Sequence, residues 1–260
     1  LLIIDGGTGQ ILPDPNPEQL HDYRARVREL AREQRGLQRL RSKPSRTRDG
    51  TDIVLLGNAE SSADLAQVHR LGAAGLGLFR TEFLFLHGSV LPDEQTQFEH
   101  YREAVLAMAG RPTTFRTMDL GADKADRAGL APINEENPAL GLRGIRLALA
   151  NPAVLDTQLR AILRASGYGP VRILVPMVSG RDELLAVRRR IRLLGKQLRQ
   201  QGHAVSDAIA LGAMIEVPAA ALALYSFIEL VDFLSVGTND LVQYLLAADR
   251  NNDAVATWYD

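Results

Sequence analysis

Apolar residues in this chain fall into short continuous runs separated by helix-period stripes. From residue 51 onward six runs stand out: 52–57 (DIVLLG), 75–80 (GLGLFR), 113–118 (TTFRTM), 171–177 (VRILVPM), 210–217 (ALGAMIEV) and 232–237 (DFLSVG). Runs apolar on both faces suit parallel strands covered by helices. Amphipathic stretches follow at roughly 61–72, 94–109, 138–166 in two pieces, 181–201, 218–229 and 240–248. Alternating strands and helices predict a parallel sheet with right-handed crossovers. Two α/β architectures meet that description. An open doubly wound sheet usually carries a glycine-rich phosphate loop after its first strand, and GNAESS at 57–62 is not one. The expected fold is therefore a TIM-type (β/α)8 barrel. About six of its eight units are visible, and it reads as incomplete at the C-terminal end.

The pattern before residue 51 differs. Residues 1–12 read as a β-hairpin, with LLII and IL flanking the turn DGGTGQ. A lone hairpin is marginal in water, so this one reads as the tail of a preceding domain. Pro13, Pro15 and Pro17 form a stiff connector. Leu20, Tyr23, Val27, Leu30, Leu37 and Leu40 then form one stripe on a helix over 18–43. Basic residues crowd its other face without interleaved aromatics, which points to a solvated linker helix rather than an RNA-binding arm. The expected organisation is 1–17 tail and connector, 18–50 linker helix, and 51–260 barrel.

Composition narrows the function. With 260 residues, 46% hydrophobic, the chain can bury a full core. Thirty basic and 31 acidic residues give a net charge of −1, so neither nucleic acid nor a membrane is an expected partner. Any anion site must be built locally. The absence of cysteine excludes disulfides and thiolate chemistry within the chain and suits a reducing, cytoplasmic setting. No apolar run is long enough for a bilayer span, and LLIID lacks the features of a signal peptide.

Candidate chemistry sits at the strand ends, where barrels of this type place their catalytic groups. The second run ends in Arg80-Thr81-Glu82, the third in Arg116-Thr117-Met118-Asp119, the fifth at Glu216 and the sixth in Gly237-Thr238-Asn239-Asp240. Any one of these alone reads as a surface or salt-bridged side chain. Four at corresponding positions read as a site. Arginine forks match phosphate or carboxylate in bidentate geometry. Glu216 and Asp240 offer carboxylate oxygens to Mg²⁺, which takes one or two protein carboxylates and completes its shell with water and substrate. The alternative for these acids is pairing with Arg80 and Arg116 in a ligand-free network. Arg143 in NPALGLRGIR, Lys124 closing LGADK and Arg250 in AADRNND are weaker candidates. The five histidines (His21, His69, His87, His100, His203) read as surface or packing residues.

The segments GLGLFRTEFLF (75–85), FRTMDLGADK (115–124), NPALGLRGIR (137–146), LRAILRAS (159–166), AMIEVPAAA (213–221) and SVGTNDLVQYLLAADRNN (235–252) occur in one order. Together they resemble the phosphoenolpyruvate-binding C-terminal domain of the enzyme I family of the bacterial phosphotransferase system. Pyruvate phosphate dikinase and phosphoenolpyruvate synthase are wider relatives with similar segments. The resemblance implies that Arg80 and Arg116 hold the phosphate in transfer, with Arg143 and Lys124 in support. It implies that Glu216 and Asp240 bind Mg²⁺, and that Asn239, Asp240 and Arg250 contact phosphoenolpyruvate. It also implies transfer to a histidine on a mobile phosphohistidine domain of the same protein, then to a small histidine phosphocarrier protein, in a homodimer; the sugar-transport branch and its nitrogen-regulatory or multidomain relatives share these segments. The acceptor's Thr-Ser-His context and a proton-donating cysteine of the family are not among these residues, so no turnover is expected of them alone. Two rivals remain at this stage: a Mg²⁺-dependent lyase or aldolase acting on pyruvate-like ligands, and a non-catalytic phosphoenolpyruvate sensor.

Overall fold

The structure is a computed structural model and describes residues 1–86, 91–120, 130 and 137–259. It divides into two compact units, Leu1–Val54 and Leu55–Asp260.

In the first unit, β1 (Leu2–Asp5) pairs antiparallel with β2 (Gln10–Pro13). Asp5 closes the turn by accepting the Gly7 and Thr8 amides at 3.0 and 3.3 Å. Helix α1 (Pro17–Gln38) starts at a reciprocal Asn16–Gln19 capping box, with a proline at its first position. Regular helix ends at Gln38, and the remainder of the expected span tightens into a 3₁₀ turn at Arg39–Ser42. Arg26 ties α1 to the hairpin through Asp5 at 3.0 Å. No residue of α1 is buried.

In the second unit six parallel strands lie side by side in sequence order: β3 (Gly57–Ala59), β4 (Leu76–Phe79), β5 (Thr113–Arg116), β6 (Val171–Val175), β7 (Ala210–Ile215) and β8 (Phe233–Val236). The order never reverses. A doubly wound sheet has a reversal at its binding crevice, so this is the arrangement of a partial β/α barrel. The connecting helices are α2 (Ser62–Leu71), α3 (Phe83–Leu86), α4 (Glu94–Ala107), α5 (Gly144–Ala150), α6 (Pro152–Ala165), α7 (Arg181–Gln200), α8 (Pro218–Leu222) and α9 (Thr238–Leu246). A last short helix, α10, spans Ala256–Tyr259.

Two expected elements moved. The first strand was expected over 52–57, but β3 begins at Gly57, and Ile53, Val54, Leu55 and Leu56 are exposed. The backbone at 52–53 is engaged elsewhere: Arg46 and Asp52 form a bridge and a 2.7 Å ion pair, and the Ile53 amide donates to Ser45. The helix expected over 218–229 keeps only α8, followed by 3₁₀ turns at Leu224–Ser226 and Ile228–Leu230. Phe227 leaves helical geometry at φ −138° and buries its side chain completely.

Side chains alternate across the sheet as the strand period requires. Phe79, Phe115 and Ile215 point to the helical layer and join the main core. There Phe79 and Tyr101 of α4 pack against Phe115, with ring centroids at 5.4 and 4.9 Å. The intervening positions, among them Leu78, Thr114 and Met214, line an open cavity of about 1110 Å³ on the other face. Among the described residues no helix is long and apolar enough to cross a membrane.

Candidate functional site: the cavity rim

Parallel strands deliver all their C-terminal ends to one rim, and here that rim is charged. Arg80 follows β4, Arg116 ends β5, Glu216 follows β7, and Asn239 and Asp240 open α9 after β8. Arg143 precedes α5 and Arg250 follows α9. All seven line the same cavity. Lys124 and His87 lie outside the described residues.

Arg116 is held at both terminal nitrogens. Nη2 donates to Glu82 at 2.9 Å, and Nη1 lies 3.3 Å from Asp119. Its buried Nε has no hydrogen-bond partner among the described residues. Burial opposes the Arg116 charge, but Glu82, Asp119 and Glu216 outweigh it and raise its pKa. Glu82 also accepts the Asp119 amide at 3.0 Å, so the ends of β4 and β5 are pinned together.

Arg143 spans the rim. It donates to both Asp119 oxygens at 3.1–3.4 Å and approaches Asp240 at 3.3 Å and the Tyr244 hydroxyl at 3.2 Å. Tyr244 in turn donates to the Ala139 carbonyl. Burial opposes the Arg143 charge too, yet Asp119 and Asp240 raise its pKa far above the usual value. Gly144, next to Arg143, adopts φ +54°, and a Cβ there would stand 2.7 Å from Met177 and 3.2 Å from Asp119 Oδ1. Arg250 lies 3.8 Å from Asp240, and Arg80, half exposed, lies 3.8 Å from Glu60.

The ligand-free ion pairs therefore exist, but with other partners than the sequence suggested. Asp240 pairs with Arg143 and Arg250, while Arg116 pairs with Glu82 and Asp119. Glu216 is not in an ion pair among the described residues. It is 1% exposed and accepts the Met177 amide at 2.6 Å. Burial pushes its pKa up to about 7 against the Met177 hydrogen bond; Asp119 and Asp240 add to the rise, and Arg116 opposes it. Met177 presents that amide from φ +57°, a strained setting for a non-glycine residue.

Sequence reasoning gave no role to Glu82, Asp119 or Tyr244. The first two lie inside the quoted strand-end motifs, so position alone could have nominated them.

Gly237 completes the acid side of the rim. A Cβ there would lie 2.6 Å from Glu216 Oε2 and 2.8 Å from Glu216 Cβ. Gly237→Ala is expected to displace the Glu216 carboxylate and cost about 1–3 kcal/mol in urea unfolding, the usual range for overpacking. An unchanged urea midpoint would show that the rim has room to spare.

This combination of a β/α barrel sheet and an arginine–carboxylate rim defines a class. Residues 34–260 match the family described as "PEP-utilising enzyme, PEP-binding domain", and the chain belongs to that family. It is 49% identical over 261 residues to the "Phosphoenolpyruvate-protein phosphotransferase" of Cupriavidus necator, covering 100% of this chain and 44% of that protein. It is 40% identical over 259 residues to the protein of that description from Staphylococcus aureus, and 39% identical over 260 residues to that of Latilactobacillus sakei, covering 100% of this chain and 45% of each relative. The chain thus spans a little under half the length of the curated relatives it matches.

Proposed function

We propose that the rim binds phosphoenolpyruvate together with Mg²⁺, as the phosphoryl-donating part of a phosphoenolpyruvate–protein phosphotransferase. The observation that carries this reading is the convergence of Arg80, Arg116, Arg143 and Arg250 with Glu216 and Asp240 on one cavity. Phosphoryl transfer needs positioning and charge neutralisation more than covalent help from the protein. In this reading Arg80 and Arg116 grip the phosphate. Asn239, Asp240 and Arg250 contact the rest of the ligand. Arg143 holds Asp119 and Asp240 in place, with Lys124 a further support.

The acids fit a divalent cation. Glu216 is buried without an ion-pair partner among the described residues, its pKa is raised by burial and then by neighbouring carboxylates, and Gly237 leaves beside its Oε2 the space a Cβ would fill. Among the described residues no three acidic, histidine or cysteine side chains form a metal site alone. That suits Mg²⁺, which completes its shell with substrate and water. Glu216 and Asp240 would hold the ion, which would supply positive charge to the ligand's oxygens.

In the transfer, the bond between phosphorus and the enol oxygen breaks and a bond forms to a ring nitrogen of a phosphoacceptor histidine elsewhere in the protein. The enolate left behind takes a proton and leaves as pyruvate. The phosphoryl group then passes to a small histidine phosphocarrier protein, in the cytoplasm. The relatives' shared description and the family match support this assignment over a lyase or a sensor.

Calorimetric titration of phosphoenolpyruvate with and without Mg²⁺ tests the reading. Binding is expected with the ion, and at least about tenfold weaker binding without it, since one charged contact to a ligand typically contributes 1.5–3 kcal/mol. No binding under either condition sinks the assignment.

A further inference from the structure

Directly beneath the rim lies a buried polar network that the binding reading does not use. Gln158 of α6 is 1% exposed, and its side chain makes three hydrogen bonds. Oε1 accepts the Met118 amide at 2.9 Å. Nε2 donates to Thr81 Oγ1 at 3.0 Å and to the Tyr101 hydroxyl at 3.3 Å. Thr81, 0% exposed, passes its own proton to the Arg116 carbonyl at 2.9 Å. Tyr101 donates to Gln97 at 3.1 Å, and Gln97 donates to the Pro92 carbonyl at 2.8 Å.

Every donor in this chain has one acceptor, so the network has a single polarity. The Met118 amide fixes the orientation of the Gln158 amide, because only the oxygen can face an N–H group. The two Gln158 protons then set both hydroxyls, and the Thr81 hydroxyl is left pointing at Arg116. Burial makes the arrangement stringent, since an unpaired polar group there bears its full desolvation penalty.

What the network touches gives it meaning. Thr81 sits between Arg80 and Glu82. Met118 lies two residues after Arg116, the last residue of β5, and directly before Asp119. Past the last strand residue, Arg116, the ladder between β5 and β6 offers, among the described residues, only the Thr117 amide to Leu174. The segment 117–119 is therefore set by side chains: Gln158 at Met118 and Glu82 at Asp119.

We infer that Gln158, acting with Thr81, is a positioning residue that fixes the Arg80–Glu82 and Arg116–Asp119 strand ends in the geometry that grips the anionic ligand. This rests on the phosphate-binding reading of the rim. Gln158 touches no ligand; it acts through the backbone that carries Arg116 and Asp119.

The test uses the full-length protein and three variants. Gln158→Leu removes the acceptor for Met118 while keeping an apolar side chain of similar length. Ile162→Val, one turn along α6 in the main core, is a packing control outside the network. Two quantities are read: phosphoenolpyruvate affinity with Mg²⁺, and amide hydrogen exchange at Met118 and Asp119. Gln158→Leu is expected to weaken binding at least tenfold and to accelerate exchange at both amides, relative to amides in α7. Ile162→Val is expected to do neither, and Gln158→Glu, which retains an oxygen for Met118, should keep Met118 more protected than the leucine variant. Unchanged affinity and unchanged Met118 exchange in Gln158→Leu would overturn the inference, as would equal loss in both Gln158→Leu and Ile162→Val. If the wild-type protein takes no phosphoenolpyruvate, the functional reading has failed and exchange alone decides the positioning role. Acceleration confined to 117–119 then supports it, and unchanged protection overturns it.

Discussion

Arg116→Lys is expected to fold and to lose at least about 99% of pyruvate formation in the full-length protein, the scale on which removing one preorganised charge contact slows a reaction. Folding should survive because lysine keeps a positive charge among Glu82, Asp119 and Glu216, the groups that raise the arginine's pKa. Activity should not, because the arginine makes two contacts with one rigid group. It donates to Glu82 and sits against Asp119. A lysine ammonium is a point charge on a flexible stem and cannot present that fork. Pyruvate release at the wild-type rate from a folded Arg116→Lys protein would refute the role given to Arg116.

Glu216→Gln is expected to raise the stability of the metal-free protein. The Glu216 carboxyl is almost fully buried, and its pKa is pushed from 4.5 up to about 7. A raised acid pKa means that the folded state holds the proton more tightly than the unfolded chain. Stability is therefore undiminished below pH 4.5, falls as pH rises through the window to 7, and stays low above it. At about 1.4 kcal/mol per unit, the metal-free protein forgoes about 3 kcal/mol at pH 8. Glutamine does not ionise and can still accept the Met177 amide. In EDTA at pH 8 its urea midpoint should rise, the gain should vanish near pH 4.5, and the effect of Mg²⁺ on ligand affinity should be lost. A variant no more stable than wild type at pH 8 would place Glu216 in a better-solvated or better-paired setting than the structure gives it. A residue that weakens the empty protein and strengthens a bound state is typical of binding sites, where stability and function pull apart.

The rim was legible in the sequence because its logic is one-dimensional. In a parallel sheet each strand's C-terminal end faces the same way, so polar residues just after apolar runs are neighbours whatever their separation. That reasoning brought Arg80, Arg116, Glu216, Asn239 and Asp240 to one cavity without coordinates. It could not choose partners. Asp240 pairs with Arg143, 97 residues away, and nothing in the spacing distinguishes that partner from Arg80 or Arg116. Asp119 and Glu82 stood in view, but a single acid at a strand end looks like any surface acid until its neighbours are known. Gln158 was less visible still, because a lone amide in an amphipathic helix reads as solvated, and only tertiary contacts reveal its burial. The late start of β3 had a similar cause. The run 52–57 has strand composition, yet Asp52 and Ile53 are taken by contacts to residues 45 and 46.

The uninterrupted strand order has a consequence for how occupancy and folding are linked. The groups that meet at the rim run from Arg80 to Arg250, so four strands and their crossovers stand between the first contact and the last. A unit assembled only through β5 would carry Arg80 and Arg116 but lack Glu216, Asp240 and Arg250. Mass action from an anion bound across the full rim would then favour the assembled sheet as a whole.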